Sequence, residues 1–560
     1  MASLVQVKAY CSPTLVLLAF NWEDGKDFGD FLGFAIKRSP GFTGKAPSWL
    51  PNRLGFQGGT LQGDFPSCDA PVQKFMWWDA RIDDKTRGKT VVYSVIPVRG
   101  TPQNLQLIDD STGSVTVKIP QPVENGIGSW FNRAVVSSQA FTREFGNPPL
   151  KGDKADQAKI WLANGMQAVI PDFLKTSAAA DAAIYHLSDP NWILPAMQDF
   201  EGPLSIVYYY KAPPANPSSK SKGDLVSEDS LKSLTKKTNV SGIRRTKTSI
   251  MHDKFIVRQS GGSSLALLMG SANFTEEGIT SQANLMHTFD SPELAELYEK
   301  RFQLLEEDPA KKATQEQGGD WSETVTVGDA QIRVFFAPEP KGSKVAIGTM
   351  IDTVQKAQAS VVFCVFDPTD IDLLDAMFKA GSDGKMMFGL VNKVPPVDPA
   401  AKDSKTVQQA AVEIYHRSKE NRDVYGYGAF RKGSGPAGFK DEPFFRSLKG
   451  PTGPQNAVFV HHKFVVIDAE TDSPTIYTGS ANLSKNSTEN NDENLLEITK
   501  SPRMAAIYLA EFMRLYEHYR ARAIAQDATP IAGLAPTSAW AKEAYTADTP
   551  EFKSRIRMAS

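Results

Sequence analysis

The stretch Val460-His461-His462-Lys463-Phe464-Val465-Val466-Ile467-Asp468, followed by Gly479-Ser480-Ala481-Asn482, decides how this chain is read. It has a counterpart in Met251-His252-Asp253-Lys254-Phe255-Ile256-Val257-Arg258-Gln259, followed by Gly270-Ser271-Ala272-Asn273. In both copies the serine follows the histidine by 19 residues, from His252 to Ser271 and from His461 to Ser480. Histidine and lysine stand two apart on an apolar, strand-like run, so they share one side of a strand. The chain has 7 histidines, and one occupies the same place in each copy. A repeat kept for packing alone would preserve apolar positions rather than His, Lys, Ser and Asn. Two half-sites meeting in one pocket are therefore expected.

The surroundings repeat as well. Strands are expected at 182–187 and 204–210 around a helix at 189–199. In the second copy strands are expected at 332–336, 361–366 and 385–391, with helices at 344–358 and 370–380. Alternation of this kind predicts an α/β layered sheet. Each copy ends in a helix, 291–307 and 501–525, that opens Ser-Pro, a capping serine before a proline at the first helical position. Ahead of both copies, residues 1–120 read as all-β, with strands at 4–10, 14–22, 31–37, 73–79, 90–98 and 114–119 between Gly, Pro, Asp and Asn clusters. That spacing suggests a sandwich of the immunoglobulin or fibronectin type III kind. Residues 130–145 have helical spacing. The expected division is an N-terminal β-sandwich at 1–120, a connector at 121–150, a first half at 151–325, a second half at 326–530 and a tail at 531–560. In the tail, Trp540, Tyr545 and Arg555 are candidates to dock on the body.

His-x-Lys-x4-Asp followed by Gly-Ser-x-Asn resembles the signature of the phospholipase D superfamily, over roughly residues 150–525. The second copy matches completely, and the first has Gln259 where the pattern has aspartate. The resemblance implies two duplicated α/β halves forming one pseudo-two-fold catalytic body. It also implies a phosphodiester hydrolase or transferase that works without metal or cofactor through a phosphohistidine. One imidazole attacks phosphorus; the other protonates the leaving oxygen and then activates water or an alcohol. Lys254 and Lys463 neutralise the phosphoryl oxygens, and Ser271, Asn273, Ser480 and Asn482 donate hydrogen bonds. The family's supporting carboxylate falls at Glu493; the matching position of the first copy is Asn284. Asp468 and Gln259 are expected to support rather than react. The order of the halves points to His252 as nucleophile and His461 as acid/base, the assignment adopted here. The carboxylate, taken with the histidine of its own copy, points to His461. His462 is expected to face away from the pocket, and His186 and His287 to be core residues.

Composition bounds the substrate only loosely. The formal net charge is −2, so no basic field covers the whole chain. Three cysteines, Cys11, Cys68 and Cys364, do not make a disulfide framework. With neither a secretory signal nor a stretch of 18 apolar residues, a soluble, cytoplasmic protein is expected. Long polar insertions precede each copy. Residues 211–247 hold nine Lys or Arg against three acidic residues, and residues 392–455 interleave Tyr415, Arg417, Lys419, Arg422, Tyr425, Tyr427, Phe430, Arg431 and Lys432. Such loops suit an anionic membrane surface or a nucleic acid strand. The reading adopted is a phospholipase D that releases the headgroup of a phospholipid, in peripheral contact with a membrane. The alternatives are a nuclease of the superfamily or a weakly active phosphate-binding member. A cardiolipin-type synthase is disfavoured by the lack of membrane-inserting N-terminal segments.

Overall fold

The computed structural model describes residues 3–56, 59–60, 62–135, 139–146, 150–214, 223–392, 424–426, 458 and 460–527, together with 533–560. The fold is mixed α/β. Most of the second insertion, including the basic and aromatic residues named from it, lies outside the described residues; only the backbone of Tyr425 falls within them.

The motif strand Lys254–Ser260 is apolar on both sides. Phe255 and Val257 enter one hydrophobic cluster and Ile256 another. A strand of this kind must lie inside a sheet covered on both faces. It is the fifth strand of an eight-stranded sheet, in the order Val123–Glu124, Ile127–Phe131, Leu285–Phe289, Ser263–Gly270, Lys254–Ser260, Ala179–Ile184, Leu204–Tyr209, Val240–Arg245. The second motif strand, Lys463–Ile467, is fifth of eight in the order Val325–Val327, Ala330–Ala337, Glu493–Thr499, Thr475–Gly479, Lys463–Ile467, Ser360–Val365, Met386–Val391, Val424–Gly426. In both sheets the last three strands run parallel to one another, and each motif strand meets the first of them antiparallel.

One large core lies between the sheets. It takes Phe255 and Val257 from the first, Phe464 and Val466 from the second, and Tyr298, Tyr508 and Phe512 from the helices Pro292–Glu306 and Pro502–Asp527. The outer faces are covered separately, the first by helices that include Met166–Lys175, the second by Val345–Gln355 and Ile371–Ser382. Ser291 caps its helix by accepting from Leu294 N, and Ser501 Oγ likewise accepts from Met504 N.

Residues 3–122 form strands and two short 3-10 turns. A three-stranded antiparallel sheet of Gln6–Cys11, Val16–Asn21 and Met76–Asp79 faces a five-stranded one built on Phe31–Ser39 and Thr90–Thr101. Val16, Leu18 and Phe20 pack against Phe34, Ile36 and Val95 between them. Of the Trp77–Trp78 pair, Trp77 joins this core and Trp78 packs against the large one.

Residues 121–150 depart from the expected connector. Ile127–Phe131 is a strand of the first sheet, pairing antiparallel with Leu285–Phe289, and among the described residues of this stretch only Gln139–Phe145 is helical. Asn125 and Gly126, both at positive φ, turn the chain between Val123–Glu124 and this strand. They are the Asn-Gly pair that a tight hairpin favours. The tail returns to the N-terminal strands. The Trp540 ring packs 5.1 Å from Phe31 and 5.4 Å from Phe75, and buried Arg555 bonds Ala544 O and Asn21.

Candidate active site

The two motif strands bring their histidines to one place, and each histidine is held by residues at the other sheet. His252 N donates to Asp492 O at 2.8 Å, and His461 N donates to Ala283 O at 3.1 Å. The side chains follow the backbone. His252 Nδ1 lies 2.8 Å from Glu493 Oε2, and His461 Nδ1 lies 2.9 Å from Asn284 Oδ1. This corrects the expectation that Glu493 would serve the histidine of its own copy: the carboxylate orients His252, and the amide of Asn284 orients His461. Sequence adjacency misled because parallel bridges, Met251 to Asp492 and Ala283 to Val460, run between the halves.

The serines hold the acceptors rather than a substrate. Ser480 Oγ donates to Glu493 Oε2 at 2.7 Å and accepts from Asn494 N. Ser271 Oγ donates to Asn284 Oδ1 at 2.8 Å and accepts from Leu285 N. Each hydroxyl has one proton, already donated, so neither has a hydrogen bond left to give. Asn491 Nδ2 also donates to Glu493 Oε1 at 3.1 Å, so Glu493 is surrounded by donors. Asn273 and Asn482 each keep a buried Oδ1 without a hydrogen-bond partner.

Lys254 and Lys463 are fully buried, each donating Nζ to the carbonyl of its own histidine, at 2.5 and 2.6 Å. Each also lies against a ring, Lys254 on Tyr185 and Lys463 on Phe366. Those rings stand 4.8 Å from His252 and 5.3 Å from His461. Tyr185 and Phe366 were not read from the sequence, although each is the first residue past the strand beside its motif strand.

Burial shapes the electrostatics. His252 and His461 are held well below the ordinary imidazole value, first by burial and then by the two lysine charges. Lys254 is pushed down to about 7 by burial, and Lys463 is also lowered. Burial pushes Glu493 up to about 7 and Asp253 up to about 6. Beneath His252 lies a fully buried ionic cluster. Arg245 Nε bonds Asp492 Oδ2 at 2.9 Å, and Arg301 lies within 3.8 Å of Asp253 and 3.4 Å of Asp492.

The remaining motif positions lie far from the chemistry. Asp468 and Gln259 are seven residues along an extended strand from their histidines, roughly 23 Å. Asp468 accepts from Gln358 N, Ala359 N and Ser360 N and closes the turn into the strand Ser360–Val365. Gln259 instead donates Nε2 to both Asp181 Oδ2 and Glu299 Oε2, at 2.6 and 2.8 Å. A carboxylate there would be a third in a group where Asp181 is already pushed up to about 7 by burial and by Glu299.

Among the other histidines, His462 is buried against Phe131 and Phe464, and His287 is buried with Nε2 2.7 Å from Tyr508 Oη. His186 is not a core residue, because the chain past its strand turns outward. It is half-buried, stacked 3.8 Å from the Tyr185 ring, with Nε2 3.0 Å from Asp224. No group of three or more His, Cys, Asp or Glu placed to hold a metal ion occurs among the described residues. No described helix is long and apolar enough to cross a membrane.

A family model described as "Cardiolipin synthase, PLD-like domain" matches residues 211–305 and 441–516, which contain both motif copies. The two matched stretches are phospholipase D-like. Among solved structures the chain is similar to phosphatidylserine synthase from Haemophilus influenzae Rd KW20, at 12% identity and a TM-score of 0.42, covering 64% of this chain and 85% of that one. It is also similar to yeast tyrosyl-DNA phosphodiesterase, at 10% identity and a TM-score of 0.32, covering 59% and 86%. A third is the phospholipase D family member Nuc from Salmonella typhimurium, at 15% identity and a TM-score of 0.22, covering 34% and 95%. No curated protein matches the sequence.

Proposed function

We propose that the protein is a phosphodiester hydrolase or transferase that forms a phosphohistidine on His252, and that it acts as a phospholipase D on phospholipid. The observation that carries the mechanism is the unequal pairing of two otherwise matched histidines. Glu493, accepting from Nδ1–H of His252, leaves the Nε2 lone pair free and stabilises the positive charge that grows as the ring attacks phosphorus. His461 is held by a neutral amide, which fixes its tautomer without raising its basicity as a carboxylate would. His461 is therefore the better acid. In the first step the His252 Nε2–P bond forms, the P–O bond to the leaving alcohol breaks, and that oxygen takes the proton of His461. In the second step His461 removes a proton from water or an alcohol, whose oxygen attacks phosphorus and displaces His252. Lys254 and Lys463 balance the phosphoryl charge. A bound phosphodiester anion draws protons back onto groups whose burial disfavours charge, His461 among them.

The matching strand orders and the exchanged contacts support two duplicated halves meeting at a pseudo-two-fold axis. On this reading the catalytic body spans residues 151–530, with strand Ile127–Phe131 added to its first sheet, and residues 1–120 form a β-sandwich packed against it.

The test is a product assay. Wild type and His461→Ala, with EDTA, are given phospholipid vesicles in the presence of ethanol, and in parallel labelled DNA. Phosphatidylethanol formed by wild type alone is the expected result. DNA cleavage without it, lost in the variant, makes the protein a nuclease.

A further inference from the structure

We propose that Leu225 and Val226 form an apolar tip that docks the mouth of the site on an anionic phospholipid bilayer; this rests on the phospholipid reading above. The two side chains are adjacent and remain 43% and 45% exposed, among the few large aliphatic residues on the surface. They are held rigidly on either side. Asp224 before them bonds His186, whose ring stacks on Tyr185 beside His252. Ser227 after them is buried, accepting from Leu187 N at 3.0 Å and donating to Tyr185 O. The tip is thus anchored at both ends to the segment that carries the pocket wall. A pair of exposed aliphatics fixed in this way is a poor surface for a free protein and a fit one for the acyl boundary of a membrane.

Charge agrees with that occupant. Lys211 exchanges backbone hydrogen bonds with Asp224, at 3.1 and 2.8 Å, which places it beside the tip. Lys247 lies two residues past the end of the neighbouring parallel strand Val240–Arg245, at the same edge of the sheet. Both lysines are exposed, and neither forms an ion pair among the described residues. The described acidic groups at this edge are already paired: Asp224 with His186, Glu228 with Arg244, Asp229 with Lys232, and Asp308 with Arg245. Two lysines outside any ion pair among the described residues, around an apolar tip, suit phosphate headgroups above acyl chains. Nucleic acid would be met instead by stacking rings, which Leu225 and Val226 do not supply.

The test uses the full chain carrying Leu225→Ser together with Val226→Ser, and separately Lys211→Glu together with Lys247→Glu. Binding is read by co-sedimentation with vesicles of phosphatidylcholine, with and without phosphatidylglycerol, and turnover by a soluble diester, bis(p-nitrophenyl) phosphate. The serine variant is expected to bind vesicles about ten-fold more weakly while soluble turnover stays within about two-fold of wild type. The glutamate variant is expected to lose its preference for phosphatidylglycerol, by about 30-fold per site, since each reversal changes two unit charges. If vesicle binding falls in the serine variant while no protein turns over the diester, the docking surface stands and the catalytic reading fails. Unchanged vesicle binding by the serine variant overturns the docking surface. So does a wild type that ignores vesicles but retains DNA in a salt-dependent way through Lys211 and Lys247.

Discussion

His252 Nδ1 and Glu493 Oε2 lie 2.8 Å apart across 241 residues of chain, so the base that orients the first histidine is supplied by the second half. Neither sheet alone holds a complete histidine pair, and on the proposed mechanism the chemistry depends on their docking. Glu493→Gln keeps the shape and removes the charge. It is expected to lower kcat by on the order of 10²- to 10⁴-fold, measured on a soluble diester.

The same substitution has an opposite effect on stability. Burial raises the folded Glu493 to about 7, above the ordinary carboxylate value of roughly 4.3. The folded state therefore keeps a proton that the unfolded chain releases. Stability from this group is full below pH 4.3, roughly, and is lost as pH rises toward about 7. Glu493→Gln removes that loss. The variant should match or exceed wild type in urea denaturation at pH 8 while remaining catalytically poor.

Asn284→Asp tests the other histidine. A carboxylate beside His461 makes its imidazolium a weaker acid. The alkaline limb of kcat/KM should move up by on the order of 1–3 pH units, and diesters with poor leaving groups should slow most.

Anion binding should take up protons. Burial depresses both histidines and both lysines, and a phosphate or tungstate anion should restore their charged forms. Calorimetry at pH 7.5, roughly, in buffers of different ionisation enthalpy should show net proton uptake, and affinity should fall as pH rises.

Restoring the motif at Gln259 is expected to harm the protein. Gln259→Asp replaces two donated hydrogen bonds with a third carboxylate beside Asp181 and Glu299, and should cost about 1–3 kcal/mol of stability at neutral pH. Turnover by the folded fraction should be unchanged. Asp468→Ala should behave alike, since its three backbone donors lie far from His461.

Much of the site was legible because reactive side chains repeat at fixed spacing. The strand pair Lys254–Ser260 and Lys463–Ile467 and the Ser-Pro helices could be placed from pattern alone. So could six of the N-terminal strands, where alternation or an apolar run between turn residues carries the signal, while the short strands Ser48–Trp49, Pro51–Leu54, Gln62–Pro66 and Asn104–Leu107 were not read. What the sequence did not carry was which half each acceptor would serve. Glu493 follows its own motif in the chain, yet its partner is chosen by a bridge between Met251 and Asp492 that no local pattern encodes. The role of the serines was hidden for the same reason. At 130–145 a helix-like spacing concealed the strand Ile127–Phe131; the Asn125-Gly126 turn before it was the overlooked signal. Tyr185 and Phe366 looked like ends of apolar strands and become pocket walls only when the strands lie side by side.

The most direct measurement is the site of covalent phosphorylation. The His461→Ala variant, given a diester with an activated leaving group and denatured at alkaline pH to preserve phosphohistidine, should accumulate the intermediate. Peptide mass spectrometry should place the phosphoryl group on His252. The reciprocal His252→Ala variant should give none. A phosphoryl group on His461 of the His252→Ala variant, with none on His252 of the His461→Ala variant, would contradict the assignment of roles from Glu493 and Asn284.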